Sequence, residues 1–508
     1  MLSSMLDLRL PRTAAALIIP LLFTVPTLHA QDEGEKPFDR EVLVDSAIVT
    51  EGEVVIEGER VPYTATVGTQ PVWNDDGDPI ASLFYIYYER SDVDDQTERP
   101  LVISFNGGPG SASVWMHIGY TGPKRVKIGP EGFPTQPYGV EDNPHSILDI
   151  ADIVYVNPVN VAFSRIVNDA DREQFFGVNE DISYLADWLD TFVSRNARWT
   201  SPKFLIGESY GTTRVSGLAA ELQGSHWMYL NGVVLVSPTD LGIERGGPVG
   251  DALPLPYYAA TAWYHKQLPP ELQSRDLDDL LPEVEAFTVE EYIPALTHGG
   301  YIDANRKQEI ARQVAAYSGL SVETVLDHNL IIPTSFFWKD LLRDQGFTVG
   351  RLDSRYRGMD RQAAGVRPDH NQELISWNHS FAPAINYYLR DVLGYETDLQ
   401  YWVFGPVHPW NREGDRTGEQ LRQAMAQNPF LNLMVQSGYY DGATDYFSAK
   451  YNMWNMDPSG RLRDRMRFEG YRSGHMMYLR DEDLATANED IREFIRQSIP
   501  APNTPARY

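Results

Sequence analysis

Five short, continuous and mainly apolar runs constrain this chain more than any other feature: residues 101–105, 153–156, 204–206, 233–236 and 431–435, with Ser104 and Asn432 their only polar members. Each is closed by glycine or polar residues, and helical text follows. A strand with no polar face must be covered on both sides, so the pattern predicts an α/β fold with a mostly parallel central sheet sandwiched by helices. Residues 41–90 read differently. Apolar and polar residues alternate there with turn punctuation, as in 53–58 and 63–68, which predicts N-terminal antiparallel strands and hairpins. Asn74-Asp75-Asp76-Gly77-Asp78 lacks the spaced ligands and closing glutamate of a calcium loop, so it is read as a hairpin turn.

Between residues 254 and 398 the apolar runs vanish, and helical stretches such as 276–286 and 305–317 dominate. This predicts a helical cap insertion. The expected layout is a core in two parts, residues 31–253 and 399–508, interrupted by a cap at 254–398. Most of the cap's aromatic residues, including Tyr257, Tyr258, Trp263, Tyr264, Phe336, Phe337 and Trp338, are expected to pack its own core. Near the C-terminus, Leu484, Ile491, Phe494 and Ile495 fall on one helical stripe, and Asp481, Glu482 and Asp483 sit at that helix's positive end.

Arg9 and Arg12 precede an apolar run at 13–28, which ends Leu28-His29-Ala30 before polar text. This predicts a signal peptide over residues 1–30, cleaved after Ala30, and hence a secreted or periplasmic protein with no membrane attachment after cleavage. The run contains Pro20 and Pro26 and is shorter than the roughly 20 residues a spanning helix needs. The 508-residue chain carries 71 acidic against 43 basic side chains, a net charge of -28, which argues against a nucleic-acid partner. With no cysteine, thiolate nucleophiles, thiolate metal sites and disulfides are all excluded.

The strongest chemical signal is Gly207-Glu208-Ser209-Tyr210-Gly211, placed between the apolar run at 204–206 and helical text from Thr213. A sharp turn from a buried strand into a helix exposes the serine, and the flanking glycines remove Cβ atoms that would collide. Helix onset just after Ser209 aims free N–H groups at an oxygen that must become anionic, the N–H of Tyr210 first among them. A serine nucleophile needs a base, and the base an orienting carboxylate; on such a scaffold both follow late strands, in the order Ser, Asp, His.

Of eleven histidines, only His475 lies beyond the strand at 431–435 and just before the final helix, in Gly474-His475-Met476. The acid is expected in Ser437-Gly438-Tyr439-Tyr440-Asp441-Gly442, with Asp441 the first choice and Asp445 the reserve. The remaining histidines form no HExxH pair or similar spacing, so no metal is expected, and this chemistry requires no organic cofactor. A second oxyanion donor is expected from Asn106-Gly107-Gly108-Pro109-Gly110, after the strand at 101–105. Its three glycines let backbone approach a substrate closely, and no GK[ST] follows to make it a phosphate cradle.

Taken together, Asn106-Gly107-Gly108-Pro109-Gly110, Gly207-Glu208-Ser209-Tyr210-Gly211, Asp441 and Gly474-His475-Met476 resemble the serine carboxypeptidases, exopeptidases of the α/β-hydrolase fold, and in particular their bacterial branch. Arg99-Pro100, Gly122-Pro123 and residues 350–355 extend the likeness along the chain. The resemblance implies a peptide substrate, Gly108 and Tyr210 as oxyanion donors, Asn106 and Glu208 at the substrate's C-terminal carboxylate, Gly107 as a further substrate-binding residue, and Met476 in the leaving-group pocket. It is incomplete. Eukaryotic members carry a second glutamate fourteen residues after the loop asparagine, where this chain has Tyr120. Where the family usually has Asp-x-Pro and Gly-x-Gly-x-Ser, this chain has Asn157, Asn160 and Ala162.

Three functions therefore stand open on sequence. One is a serine carboxypeptidase. Another is a serine esterase, acyltransferase or peptidase that does not read a free C-terminus, with Arg125 and Arg214 as candidate carboxylate partners. The third is a non-catalytic binding protein on the same scaffold.

Overall fold

The computed structural model describes residues 40–508, and the features below belong to the unit Glu41–Tyr508. The expected signal peptide lies outside the described residues. The N-terminal text folds as a meander of β1 (Ser46–Ile56), β2 (Glu59–Trp73) and β3 (Pro79–Arg90). β1 and β2 pair antiparallel from Ser46 opposite Thr69 to Ile56 opposite Glu59. Their two-residue connection, Glu57-Gly58, has positive φ at both positions (48° and 87°), the geometry whose twist matches that of paired strands. At the next turn the Asn74 side chain accepts from the backbone N–H groups of Asp76 and Asp78, at 3.1 and 2.8 Å. The cluster is thus a self-bonded turn of the expected kind.

The apolar runs become β4 (Leu101–Phe105), β5 (Asp152–Val156), β6 (Lys203–Glu208), β7 (Gly232–Val236) and β8 (Asn432–Gly438), followed by β9 (Met466–Tyr471). The sheet order is β1-β2-β3-β5-β4-β6-β7-β8-β9, with a two-residue strand, Arg165–Ile166, paired to β3. β3 meets β5 antiparallel, and every pairing from β5 to β9 is parallel. All residues of β4 to β7 are buried, which is why those runs carry no alternation. This is the α/β-hydrolase fold.

Helix α1 (Val178–Arg195) buries Ile182, Leu185, Leu189 and Phe192, spaced three and four apart. It lies close against α2 (Tyr210–Ser225): a Cβ on Gly217 would stand 2.1 Å from Ile182 Cδ1. Helix α3 (Thr417–Gln427) also packs on α2, and α4 (Asp481–Ser498) buries Leu484, Ile491, Phe494 and Ile495 with three acids in its first turn.

Residues 252–349 build a hydrophobic cluster of their own, in which Tyr258 stacks on Phe337 at 4.2 Å. Tyr257, Tyr258 and Phe337 are buried there, with Trp263, Phe336 and Trp338 packed against them. The stretch 356–399 behaves differently. Tyr356, Trp377, Phe381 and Tyr388 join the main core, mostly through the helix Gln372–Tyr387, so this part of the mainly helical region, whose strands are the short pair Thr348–Val349 and Arg357–Gly358, docks onto the sheet layer.

Candidate active site

A parallel sheet delivers every strand's carboxyl end to one edge, and the chemistry-bearing loops leave from there. β4 runs into the 106–110 loop, β6 into Ser209, β8 into Asp441 and β9 into His475.

Ser209 sits between β6 and α2 with φ 56° and ψ −126°, a strained conformation for a residue bearing a Cβ. Its N–H donates to Val236 O of β7 at 2.9 Å, and its carbonyl accepts from Thr212 N at 2.9 Å, so the turn is held from both sides. The tightness explains the glycines. A Cβ on Gly207 would stand 2.2 Å from the Gly211 carbonyl oxygen, and one on Gly107 would stand 2.4 Å from Tyr210 N and 2.9 Å from Ser209 Cβ. The second contact also seats the 106–110 loop directly against the serine turn. Tyr210 opens α2, so its N–H has no partner within the helix. Gly108 takes φ +106°, where a Cβ would collide with the backbone of Gly110 and Ser111, and the peptide bond to Pro109 is cis.

Asp441 and His475 are brought together: Asp441 Oδ2 lies 2.6 Å from His475 Nδ1. Asp441 is fully buried and also accepts from Ala443 N at 2.8 Å, Thr444 N at 3.2 Å and Thr444 Oγ1 at 2.7 Å. These contacts fix the carboxylate's orientation, and with it the imidazole's. Burial by itself would push the His475 pKa down; the adjacent Asp441 carboxylate, helped by Glu208, outweighs it and raises the value. Asp445 plays another part. It caps the helix Tyr446–Met456 through Ser448 N at 2.8 Å and Ser448 Oγ at 2.7 Å, which removes the reserve candidate.

Ser209, His475, Gly107, Gly108, Tyr210 and Glu208 line one cavity of about 480 Å³, within the range of small-ligand sites. Met476 lines it too, and Trp115, Leu374, Trp377 and Phe404 give it an apolar wall. None of the seven cap aromatics expected to be core residues is among its lining residues.

Asn106 and Glu208 meet beneath this cavity, Asn106 Nδ2 donating to Glu208 Oε1 at 3.0 Å. Asn106 Oδ1 accepts from Met116 N at 3.0 Å, which sets the amide's orientation. The other carboxylate oxygen, Oε2, accepts from the Tyr478 hydroxyl. Tyr478 is a residue the sequence reading passed over. Burial pushes the Glu208 carboxyl up to about 7, with His475 and the Tyr478 and Asn106 hydrogen bonds opposing. Tyr120 does not reach Glu208 with its hydroxyl, which donates to Gln436 Oε1 at 2.7 Å; its ring stacks on Tyr478 at 4.6 Å and 10°. The phenol of Tyr478, braced by Tyr120, is thus Glu208's partner.

The two arginines nominated as carboxylate partners are both occupied. Arg125 pairs with Glu141 at 3.0 Å and Asp481 at 2.8 Å. Arg214 is fully buried, pairs with Asp181 at 2.6 Å and donates to Asn106 O at 2.6 Å, supporting the 106–110 loop from behind. The departures at 160 and 162 fall where the backbone is left-handed, with φ 61° at Asn160 and 48° at Ala162. Asparagine tolerates that region, and alanine is strained in it. Asn157 Oδ1 accepts from Ser113 N at 2.9 Å. Among the described residues, no group of three or more His, Asp or Glu is placed to hold a metal, and no helix is long and apolar enough to cross a membrane.

Against known proteins, the serine carboxypeptidase family model matches residues 73–238. Serine carboxypeptidase-like 31 of Arabidopsis thaliana is 29% identical over 163 residues, covering 31% of this chain and 30% of that protein. Serine carboxypeptidase ctsa-3.2 of Caenorhabditis elegans is 30% identical over 134 residues, 25% of this chain and 24% of its own length. These matches therefore span less than a third of the relatives' length. A solved prohormone-processing carboxypeptidase from Saccharomyces cerevisiae superposes with a TM-score of 0.53 at 14% identity, covering 86% of this chain and 92% of that one. That likeness extends the shared fold along most of the chain.

Proposed function

We propose that this protein is a serine carboxypeptidase that releases C-terminal residues from peptides through an acyl-enzyme on Ser209. The observation that carries the reading is the 2.6 Å Asp441–His475 pair in the same cavity as a serine on a strained strand-to-helix turn. In this mechanism Ser209 Oγ attacks the scissile carbonyl carbon as His475 Nε2 takes its proton, while Asp441 holds Nδ1–H and stabilises the imidazolium. The oxyanion is held by the N–H groups of Gly108 and Tyr210. Collapse breaks the C–N bond, and His475 returns the proton to the leaving amine. Water then attacks the ester with His475 again as base, restoring Ser209.

Asn106, Gly107 and Glu208 bound the leaving-group side of the site, and Met476 lines its pocket. No metal or cofactor takes part in these steps. We further propose that the protein is exported after removal of residues 1–30; a mature N-terminus at Gln31 is the expected result of sequencing the processed protein, and an uncleaved chain would contradict export by this route.

An active-site phosphonate probe and a peptide digestion read by mass spectrometry test the main reading. Labelling of Ser209 and stepwise C-terminal trimming are expected, both abolished in Ser209→Ala. Full peptidase activity in that variant would sink the mechanism. One observation favours a second reading. A phenol, not a carboxylic acid, partners Glu208, which suits a serine hydrolase that does not read a free C-terminus, such as an esterase or acyltransferase. Equal cleavage of free and amidated blocked dipeptides would favour it.

A further inference from the structure

A substrate ending in a free carboxylate brings a negative charge into this cavity, and Glu208 is poorly placed to receive it. Both of its oxygens already accept hydrogen bonds inside the protein, from Asn106 and Tyr478. Once ionised it would repel the incoming group. The charge must be met elsewhere.

Three arginines line the cavity, Arg245, Arg351 and Arg412. In a chain with 71 acidic residues against 43 basic ones, free guanidinium groups at one site stand out. None of the three side chains takes part in an ion pair, hydrogen bond or ring contact among the described residues, although the lining also includes the acids Asp240 and Asp445. Asp445 is committed to capping its helix. Arg351 is the one tied to the catalytic pair. Its neighbour Leu352 accepts the backbone N–H of His475 at 2.7 Å, and its own backbone is fixed by Arg351 N donating to Glu373 Oε1 at 3.1 Å and Gly442 N donating to Arg351 O at 3.0 Å. The guanidinium is also close enough to His475 to oppose its protonation. His475 delivers the proton to the leaving amine, so a cation on the His475 wall stands on the leaving-group side.

We propose that Arg351 binds the C-terminal carboxylate of the substrate, taking over the recognition that the missing second acid would have given. The proposal rests on the carboxypeptidase reading and names its specificity residue. A guanidinium is charged at every working pH and presents paired donors to a carboxylate. Recognition by it therefore persists where a carboxylic acid would have lost its proton.

The test compares blocked dipeptides with free and amidated C-termini on the wild-type protein, Arg351→Gln and Arg351→Lys, at pH 5 and pH 8, with phosphonate labelling of Ser209 in each. The wild type is expected to prefer the free acid at both pH values. Arg351→Gln is expected to lower the acid-to-amide ratio of kcat/KM by about tenfold or more, the scale of one lost hydrogen bond to a charged group, chiefly through KM. Arg351→Lys should recover part of it. A ratio unchanged in Arg351→Gln overturns the proposal, as does a wild-type preference that vanishes by pH 8. If Ser209 labels and peptides are cleaved without any acid preference, the proposal fails while the serine hydrolase chemistry stands. If Ser209 neither labels nor cleaves, the underlying reading fails with it.

Discussion

Glu208→Gln isolates the electrostatic cost that this site imposes on its own fold. Glu208 is 3% exposed and lies between Asn106 and Tyr478. Glutamine has nearly the same shape and keeps a carbonyl oxygen for Asn106 Nδ2, and the Tyr478 hydroxyl can accept from the new amide. Burial raises the carboxyl from an ordinary 4.5 to about 7 in the folded protein. A group raised in this way contributes stability that is fully present below about 4.5 and is lost as the pH climbs through about 7. The loss amounts to about 3 kcal/mol between pH 4 and pH 8.5. Glutamine at position 208 titrates nowhere in that window. The stability of Glu208→Gln relative to wild type should therefore rise by about 3 kcal/mol from the acid to the alkaline end, whatever the fixed offset between the two side chains. Urea unfolding followed by tryptophan fluorescence at the two pH values measures the double difference. A difference that stays flat, within about 0.5 kcal/mol, would refute the reasoning, because it would mean that the Asn106 and Tyr478 bonds cancel the effect of burial.

Two other perturbations probe the supports of the site. Arg214→Ala strands the buried Asp181 carboxylate and should cost about 3–5 kcal/mol in thermal or chemical unfolding; a loss below about 1 kcal/mol would show that Asp181 finds another partner. Gly207→Ala places a methyl 2.2 Å from the Gly211 carbonyl, so unfolding measurements should show at least the roughly 1–3 kcal/mol of overpacking together with lost Ser209 labelling; wild-type stability and labelling would disprove the tight turn.

The architecture was legible because its cause is local. A strand covered on both faces is apolar over most of its length, and β4 to β7 are, with Ser104 the one polar residue inside a strand and Asp152, Lys203 and Glu208 at strand ends. The turn chemistry at 74–78 and the amphipathic stripe of α4 are likewise written within a few residues. The stretch 356–399 was harder to place, since helical periodicity reports one buried face without saying which core receives it. Here that core is the main one.

At the candidate site, Ser209, Asp441 and His475 could be nominated from sequence because each stands in a motif, or at a strand end whose order along the chain carries the information. Their meeting could not be measured from the sequence: Asp441 and His475 are 34 residues apart, and only the parallel pairing of β8 with β9 brings them to 2.6 Å. The partners of charged groups were less legible still. Arg125 and Arg214 stand near site motifs in the sequence, yet both are neutralised by acids hundreds or tens of residues away, at 481 and 181. Tyr478 carries no motif that marks it, and Arg351, although it stands in the 350–355 stretch of the family likeness, has no role written there; both gain their importance from what is next to them. The amino-acid sequence by itself determined the sheet, the sharp turn at Ser209 and the side chains on offer there, because covering a strand and turning a chain are short-range demands. Which carboxylate is partnered and which guanidinium is left free depends on charges converging across the whole fold, and that was decided only by the tertiary structure.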